Sequence, residues 1–372
     1  MTRYRHRAGE LLVHADDCAA IRPGLAAFGY HPDGGTGALR RFTGTRPVPD
    51  VLAALGRRGA GPNHVFGLDR IIWGDLRPRP TNLDLTPVPA AERIRMQVGV
   101  VDTGIVLRDG APHEFLGRRV CYAPEDTVRV VRGEDGNPVG SAGHGTFVAG
   151  LVLKQVGPDV GVRMKGVIDE QSGDAEDLAV ANAIDDLREE GVTLINLSFS
   201  GETFEDQPPK AIEAALGRLS PEVVVVASAG NRGMRQRVYP AGIKLGRSFP
   251  GVLDGNHALV LPVGSADPTT AISRVADFSN FGPWIAAFAD GVDVLGPYFH
   301  PGYPKVFDVQ EFNGYAVWSG TSFSAAILTG KIAAGMGPDV TAREAAVKVL
   351  EAAETITVHD VNGCLDVPHV RE

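Results

Sequence analysis

Apolar positions along this chain alternate between short continuous runs and longer stretches with helical spacing. The short runs are rich in Val, Ile and Leu, a composition typical of strands that are buried on both faces of a parallel sheet. They lie at residues 96–101, 162–167, 194–199, 222–227 and 258–263. Helical patterns between them lie at residues 146–153, 175–190 and 209–219. This order predicts an α/β fold with an open, mainly parallel central sheet that is covered by helices on both faces.

The beginning of the chain has its own pattern, which predicts a separate small α/β domain. Strand patterns lie at residues 10–14, 38–43, 64–67 and 70–73, and helix patterns at residues 17–28 and 48–55. The His-Pro-Asp-Gly-Gly sequence at residues 31–35 predicts a turn, and Pro23 followed by Gly24 could break the first helix. We assign residues 1–76 to this small domain, 77–92 to an extended proline-rich linker and 93–372 to the larger domain.

Composition and charge narrow the class of protein. With 44% hydrophobic and 22% charged residues, the chain can bury a large core. Its net charge of −9 argues against a nucleic-acid surface, and its apolar runs are shorter than the ~18 residues of a membrane span. The basic first residues are not followed by the apolar core of a signal peptide, and the three cysteines lack paired or zinc-type spacing. These signs predict a cytoplasmic protein with reduced, mostly buried thiols that binds neither membranes nor nucleic acids.

Three polar residues lie at strand ends or helix starts, where a sheet of this kind usually has its catalytic or binding residues. Asp102 follows a buried strand pattern, His144 begins a helix pattern of small residues, and Ser322 follows Gly-Thr at the start of another. Each residue alone has an ordinary interpretation, as a turn former or a helix cap. Together they offer a nucleophile, a base that titrates near neutral pH, and a carboxylate that can orient the base.

Four motifs resemble those of the subtilisin-like serine proteases, or subtilases. They are Asp102-Thr-Gly, His144-Gly-Thr, Ala-Gly-Asn231 and Gly-Thr-Ser322, and the resemblance covers roughly residues 94–370. It implies a three-layer subtilisin-like fold and an endopeptidase with Ser322 as nucleophile, His144 as general base and Asp102 as its partner. Asn231 would stabilise the oxyanion. It implies no cofactor, and the short segment 154–161 lacks the calcium-binding loop of secreted relatives, so we expect no metal.

The resemblance also implies a groove for an extended peptide or protein substrate. Two segments would form its walls: Ser198, Phe199 and Ser200 on one side, and Ser228, Ala229 and Gly230 on the other. Arg232 should favour acidic or polar substrate side chains over basic ones, the alternative being a solvated arginine at the rim. Ala326 stands where relatives usually have proline, which is a departure from the family pattern.

Several alternatives stay open at this level. The N-terminal domain has the position of a propeptide that inhibits the enzyme, or it is a permanent accessory domain. If the two domains are separated by cleavage, the cut should fall within residues 77–89. Residues 296–318 form an elaborated hairpin or a loop over the cleft. The expected reaction is hydrolysis of a dedicated intracellular protein or precursor peptide, with acyl transfer to an amine or silent peptide binding as alternatives. Acids such as Asp290 should be solvated.

Overall fold

The structure is a computed structural model. It describes residues 4–56, 59–68, 77–128, 141–169, 171–245, 256–269, 274–299, 303–306, 310–360 and 363–372.

The described residues of the N-terminal part form four strands, two α-helices and a short 3-10 helix at Ala15–Asp17. In chain order the strands and α-helices are β1 (His6–His14), α1 (Cys18–Ala27), β2 (His31–Thr36), β3 (Leu39–Thr43), α2 (Val48–Ala54) and β4 (Ala60–Gly67). Two expectations are corrected here. The predicted turn at residues 31–35 is the strand β2, which pairs with β3 through a bulge between Pro32 and Gly35. Helix α1 continues through Pro23, because its buried Ile21 and Leu25 pack into the core of the domain.

The strands of the larger part begin with a short one in the predicted linker. They are β5 (Arg79–Pro80), β6 (Met96–Asp102), β7 (Ile105–Arg108), β8 (Ala111–Pro112), β9 (Val120–Cys121), β10 (Thr127–Val128), β11 (Val160–Gly166), β12 (Asp174–Glu176), β13 (Leu194–Leu197), β14 (Val224–Ser228), β15 (Leu259–Asp267), β16 (Arg274–Val275), β17 (Ala287–Asp290), β18 (Val294–Pro297), β19 (Tyr303–Val306), β20 (Gln310–Phe312), β21 (Tyr315–Trp318), β22 (Glu354–Asp360) and β23 (Gly363–Val370). The helices are α3 (His144–Lys154), α4 (Asp177–Glu189), α5 (Lys210–Gly217), α6 (Thr321–Gly335) and α7 (Ala342–Ala352).

The described residues form a ten-stranded central sheet in the order β22-β23-β17-β15-β14-β13-β6-β11-β9, with β16 paired to β15. All neighbours pair in parallel except β22 with β23 and β15 with β16. The mainly parallel α/β fold predicted from the sequence is therefore confirmed. The carboxyl ends of β6, β13 and β14 meet at one edge, where parallel sheets carry their ligand sites.

Alternate residues of the central strands face two different helix layers. In β6, Val98 and Val100 pack into the core that contains α3 and α6, whereas Val101 packs into the core that contains α4 and α5. In β14, Val226 packs into the core of α3 and α6, and Ala227 packs into the core of α4 and α5. The result is three layers, with the helix pair α3 and α6 on the face that presents His144 and Ser322.

The N-terminal sheet packs across the helices of the other face. One of its faces forms the small core of its own domain, with Leu11 among the buried residues. Its other face contributes Leu12, Leu39 and Phe66 to the core of α4 and α5. Strand β12 of the larger part pairs antiparallel with β4, so the sheet runs in the order β12-β4-β1-β3-β2 across the domain boundary.

Other sequence expectations have different outcomes. The described residues within 296–318 form the elaborated hairpin, since β18 pairs antiparallel with β21, and β19 pairs antiparallel with β20 between them. The expectation of a solvated Asp290 is wrong, because this residue is buried and lies 3.0 Å from Nε2 of His369. The expectation of mostly buried cysteines is wrong, because Cys121 and Cys364 are exposed and Cys18 is partly exposed. The strand predicted at residues 70–73 lies outside the described residues.

Candidate active site

Asp102 and His144 form a buried pair at the carboxyl edge of the sheet. Asp102 ends β6, His144 begins α3, and both side chains are almost completely buried. His144 Nδ1 lies 2.8 Å and 2.9 Å from the two carboxylate oxygens of Asp102. The backbone N–H of Thr103 also donates to this carboxylate, at 2.7 Å. An ionised Asp102 accepts a proton-bearing Nδ1, which leaves Nε2 of His144 as the atom that can take up a proton.

The turn after β6 interlocks with the first turn of α3. The N–H of Gly145 donates to Thr103 Oγ1 at 3.0 Å, and the N–H of Val106 donates to Thr146 Oγ1 at 2.9 Å. A Cβ atom on Gly145 would lie 2.5 Å from the carbonyl oxygen of Gly104, so the approach requires glycine. The Asp-Thr-Gly and His-Gly-Thr motifs are thus two halves of one junction that fixes the Asp102–His144 distance.

Ser322 is the second residue of α6 and lies at the same edge of the sheet. Its hydroxyl donates to the carbonyl oxygen of Ser198 at 3.0 Å. The next residue, Phe323, packs against His144 with ring centroids 5.5 Å apart, which places the start of α6 beside the start of α3. The Ser322 hydroxyl is therefore directed toward the carbonyl of Ser198 in this structure.

The side-chain oxygen of Asn231 is held by the residue before Ser322. It accepts from the N–H of Thr321 at 2.9 Å and from the Thr321 hydroxyl at 2.8 Å. Since a backbone N–H can only donate, these contacts identify which end of the amide is the oxygen. The Nδ2 donor lies on the other side, 3.7 Å from where a Cβ of Gly320 would stand. Asn231 Nδ2 thus lies beside Gly320, two residues before Ser322.

Aromatic rings that the sequence analysis did not single out surround His144. The Trp318 ring meets the His144 ring nearly at a right angle, with centroids 5.5 Å apart, and Phe323 lies at the same distance. Phe147 packs against both aromatic rings from α3. Trp318 could have been noticed from its position four residues before Ser322. The sequence analysis treated it only as part of the hairpin at residues 296–318. These rings reduce water access to one side of the base.

The two predicted walls of the substrate groove lie next to each other. Ser228 Oγ donates to the carbonyl oxygen of Phe199 at 3.3 Å, which ties the first wall to the second. The Ser198 hydroxyl donates to Asn196 Oδ1 at 2.7 Å and lies 3.0 Å from the carbonyl oxygen of Ser322.

Two hydrogen bonds hold the backbone of the second wall, at Ala229 and Gly230. The N–H of Gly230 donates to Thr321 Oγ1 at 3.1 Å, and Asn280 Nδ2 donates to the carbonyl oxygen of Ala229 at 2.8 Å. Sequence reasoning missed Asn280, which lies in no recognisable motif.

Arg232 has an acidic neighbour of its own. Its Nη1 lies 2.9 Å from Glu202 Oε1, and its N–H donates to Asn280 Oδ1 at 3.2 Å. The Glu202 side chain is 8% exposed and that of Arg232 is 31% exposed. Part of the Arg232 charge is therefore balanced within the protein, and its preference for acidic substrate side chains stays a prediction.

Strand β4 of the N-terminal part lies beside the wall that contains Ser200. Gly67 exchanges two hydrogen bonds of 3.0 Å with Ser200, and on its other side it pairs with Asp174 of β12. The N–H of Leu68 donates to the carbonyl oxygen of Gly173 at 3.1 Å. Phe66 is fully buried and packs against Phe199 with ring centroids 6.3 Å apart. Residues 65–67 thus form the middle strand of a three-stranded antiparallel arrangement, between Ser200 on one side and β12 on the other.

Ion pairs hold this strand arrangement from the side. Arg5 Nη1 lies 2.5 Å from Asp174 Oδ1, and Arg7 Nε lies 2.6 Å from Glu176 Oε1. The amide of Asn63 donates to Glu176 Oε2 at 3.3 Å. These partially exposed contacts join β1 and β4 to β12.

Within the described residues, no group of three or more His, Cys, Asp or Glu side chains is arranged to hold a metal ion. In the same part of the chain, every helix is too short or too polar to cross a bilayer.

Comparison with known proteins gives consistent results. A sequence model of the Subtilase family matches residues 95–361. The chain is 26% identical over 244 residues to a thermophilic serine proteinase of Bacillus sp. (strain AK1), which covers 63% of this chain and 50% of that protein. It is 28% identical over 246 residues to subtilisin DY of Bacillus licheniformis, covering 64% of this chain and 75% of subtilisin DY. The chain thus spans about half the length of the thermophilic proteinase.

Solved structures share the fold. Fervidolysin from Fervidobacterium pennivorans, described as a keratinolytic enzyme related to subtilisin, superposes with a TM-score of 0.63 at 20% identity, covering 98% of this chain and 60% of fervidolysin. The prenylagaramide maturation protease PagA gives a TM-score of 0.53 at 22% identity, covering 72% of this chain and 88% of PagA. A lanthipeptide protease gives 0.54 at 22% identity, covering 75% and 86%. At these identities the likeness establishes the fold alone.

Proposed function

Because the chain belongs to the Subtilase family and is a serine-type peptidase, we propose that it is an endopeptidase that acts through Asp102, His144 and Ser322. The observation that carries this assignment is the buried Asp102–His144 pair, with Nδ1 within 2.9 Å of both carboxylate oxygens, beside the start of the helix that bears Ser322. A buried carboxylate that orients an imidazole beside a serine, at the carboxyl edge of a parallel sheet, matches the requirements of nucleophilic catalysis.

The proposed roles of these residues follow from which side-chain atoms can donate or accept a proton. Ser322 Oγ attacks the substrate carbonyl carbon while its proton passes to Nε2 of His144, and Asp102 stabilises the imidazolium that results. The negative oxygen receives hydrogen bonds from Asn231 Nδ2 and the N–H of Ser322. His144 then gives the proton to the leaving amine, and water hydrolyses the acyl-enzyme by the same route in reverse.

The substrate we propose is an extended peptide segment. The backbone groups of Ser200 and of β12 pair with an extended chain in this structure, namely the strand that contains Gly67. A protein substrate that adds as a strand gains the same main-chain hydrogen bonds, with side-chain pockets to select its sequence. We place Ser198, Phe199 and Ser200 on one wall and Ser228, Ala229 and Gly230 on the other.

The N-terminal domain acts in this proposal as an inhibitor. Its strand β4 takes the place that a substrate strand would need, and Phe66 fills the apolar space next to Phe199. Leu12 and Leu39 add buried contact with the layer of α4 and α5. A substrate must displace β4, or the domain must be removed, before the groove can be used.

The biological substrate we propose is a dedicated intracellular protein or a precursor peptide. Two proteins that share the fold are described as a prenylagaramide maturation protease and a lanthipeptide protease, although the likeness in fold does not transfer their substrates. The cytoplasmic location stays a prediction from the sequence.

The alternative reaction, acyl transfer to an amine, would be favoured by a loop that covers the cleft. The hairpin of β18 and β21 does not provide such a cover. Its residues Tyr298, Phe299 and Phe312 are buried in the main core, and the Tyr298 hydroxyl donates to the carbonyl oxygen of Ala142 at 2.9 Å. Hydrolysis is therefore the reaction that we propose.

A fluorophosphonate probe tests the proposal. It should label the wild-type chain at Ser322, identified by peptide mass spectrometry, and should fail to label Ser322→Ala or His144→Ala. Ser324→Ala is a matched control, since Ser324 is a buried serine of the same helix whose hydroxyl bonds Ser265, and it should be labelled like the wild type. Absent labelling together with absent peptide hydrolysis would contradict the proposed function.

A further inference from the structure

The loop that carries Asn231 begins where β14 ends, at Ser228. Gly230 and Gly233 lie on either side of Asn231 and have left-handed φ values of 92° and 61°, which glycine adopts at little cost. Buried backbone groups of a loop need hydrogen-bond partners other than a strand ladder. The direction of the Asn231 side chain therefore depends on what holds the backbone of residues 229–234.

The side chain of Asn280 provides hydrogen-bond partners for this loop from a distant segment. Its Nδ2 donates to the carbonyl oxygen of Ala229 at 2.8 Å, and its Oδ1 accepts the N–H of Arg232 at 3.2 Å and that of Met234 at 3.0 Å. Because a backbone N–H can only donate, the two contacts of Oδ1 identify which end of the amide is the oxygen. One side chain thus holds the loop both before and after Asn231.

The backbone around Asn280 adds to these bonds. The N–H of Asn280 donates to the carbonyl oxygen of Gly230 at 2.9 Å, and the N–H of Gly233 donates to the carbonyl oxygen of Phe278 at 2.7 Å. The segment that contains Asn280 therefore lies alongside the loop, and the two are joined through both main-chain and side-chain groups.

Burial makes the orientation of the Asn280 amide costly to change. This residue is fully buried, so a rotated amide would direct its Nδ2 at two N–H groups and its oxygen at a carbonyl, with no water to replace the lost bonds. The neighbouring Ser279 anchors the segment, because its hydroxyl donates to the carbonyl oxygen of Asn280 and accepts the N–H of Ser265, both at 2.9 Å. Strand β15, which contains Ser265, thereby connects Asn280 to the central sheet.

We propose that Asn280 is a positioning residue of the oxyanion site, which holds the loop so that Asn231 Nδ2 points at the developing negative oxygen. This inference rests on the proposed function of Asn231 and adds to it the residue that sets its backbone. Thr321 holds the side-chain oxygen of Asn231 at 2.9 Å and 2.8 Å, so Asn231 is held at its backbone and at its amide by two different segments. A donor that is fixed in advance needs no reorganisation during the reaction.

Loss of the Asn280 side chain should shift the loop while Asn231 itself is still present. Because a misplacement of ~1 Å can cost about 10²-fold in rate, Asn280→Ala should lower kcat by about 10- to 100-fold. Asn280→Asp keeps the size of the side chain and an oxygen for the two N–H groups, but it replaces the donor to Ala229 by an oxygen that repels the carbonyl. It should lower kcat by at least about tenfold.

Steady-state hydrolysis of a fluorogenic peptide by the purified full chain tests the inference in two backgrounds. If Asn280 acts through Asn231, Asn280→Ala should lower kcat in the otherwise wild-type chain and should cause less than about threefold further loss in Asn231→Ala. An equal loss in both backgrounds would contradict the inference, because a general weakening of the fold or of the groove does not depend on Asn231. Should Asn280→Ala fail to fold, Asn280→Asp is measured in the same two backgrounds and judged in the same way.

Inhibition by a peptide aldehyde gives a second measurement that is specific for the oxyanion site. Ser322 Oγ adds to the aldehyde carbon and forms a hemiacetal, whose oxygen takes the position of the oxyanion. The inhibition constant should rise in Asn280→Ala by the factor by which kcat/KM falls, and should change little when the same substitution is added to Asn231→Ala. Ile184→Val is the control, since it removes a buried methyl group from α4 and should leave kcat and the inhibition constant at their wild-type values.

The outcomes separate this inference from the proposed function. A wild type that is labelled by a fluorophosphonate and hydrolyses the peptide, beside an Asn280→Ala variant with the same kcat, would overturn the inference alone. Wild-type kcat in Asn231→Ala would remove the oxyanion role of Asn231 and this inference with it. Absence of both labelling and hydrolysis in the wild type would overturn the inference together with the proposed function.

Discussion

The backbone N–H and the hydroxyl of Thr321 both donate to the side-chain oxygen of Asn231, at 2.9 Å and 2.8 Å. Thr321 also accepts the N–H of Gly230 at 3.1 Å. One residue thus joins the nucleophile turn to the wall of the groove and fixes the direction in which the Asn231 amide points. A donor held in advance stabilises a developing oxyanion without reorganisation during the reaction.

Removal of the Thr321 hydroxyl should lower kcat with little change in KM. Thr321→Val keeps the shape and the backbone N–H but loses two hydrogen bonds of the hydroxyl, to Asn231 Oδ1 and from the N–H of Gly230. Loss of the bond that holds the Asn231 amide, worth ~1.4 kcal/mol, should lower kcat about tenfold. Thr321→Ser should retain near wild-type kcat. Steady-state hydrolysis of a fluorogenic peptide measures both values.

The same measurement in an Asn231→Ala background tests whether Thr321 acts through Asn231. Asn231→Ala alone should reduce kcat by about 10²–10³, a magnitude that was established on subtilisin itself. If Thr321 acts through Asn231, adding Thr321→Val should cause almost no further loss. A full tenfold loss in both backgrounds would show that Thr321 acts independently of the amide.

Asp102→Asn should abolish most activity while leaving the fold intact. An asparagine at this buried position can present an N–H to His144 Nδ1, which moves the imidazole proton to Nε2 and removes the acceptor for the Ser322 proton. The change of tautomer costs about 10⁴ in kcat in a serine protease with the same arrangement. Peptide hydrolysis measures the loss, and an unchanged thermal unfolding profile excludes misfolding; a loss below tenfold would contradict the role of Asp102.

The sequence identified these candidate catalytic residues because each is local to a strand end or a helix start. Asp102 follows a Val-rich run and Gly145 is part of the same motif as His144, so periodicity and motif together predict both their place and their spacing. Thr321 was visible as part of the Gly-Thr-Ser motif, but its contact with Asn231 joins segments 90 residues apart and could not be inferred.

Non-local pairing explains the remaining differences. Phe66 was part of a predicted strand, yet its side chain belongs to the core of the other domain, which no local pattern encodes. Asp290 was expected to be solvated because its partner His369 lies 79 residues later. The proline-rich segment was predicted to be extended from φ restrictions alone, and its pairing with β21 depends on a strand more than 200 residues away.

Phe66→Ala should release inhibition by the N-terminal domain. Phe66 is fully buried among residues of the catalytic domain, and truncation of such a side chain costs about 3–5 kcal/mol of contact. The full chain carrying this change should hydrolyse a fluorogenic peptide at least tenfold faster than wild type. Phe28→Ala is the control, because Phe28 packs against the core of the N-terminal domain, and it should leave the rate nearly unchanged. Equal rates for wild type and Phe66→Ala would contradict inhibition through this strand.

Asp177 should make stability depend on pH in a direction opposite to that of an ordinary surface carboxylate. Burial raises the pKa of Asp177 to about 7, although the N–H groups of Ile212 and Ala211 donate to its carboxylate at 2.9 Å and 3.2 Å. Because this value lies above the unfolded pKa of about 3.9, the folded state binds the proton more tightly. The stabilising contribution is fully present below about pH 4 and is lost as the pH rises through 7.

Urea unfolding of wild type and Asp177→Asn between pH 5 and 8 measures this effect. The neutral asparagine carries no charge to bury, so the free energy of unfolding of the wild type should fall relative to that of the variant as the pH rises. Asp185→Asn serves as a control, since Asp185 is on the same helix, pairs with Arg218 and should show no comparable trend. A difference between wild type and Asp177→Asn that stays constant over this range would show that the helix N-terminus of α5 holds Asp177 ionised throughout.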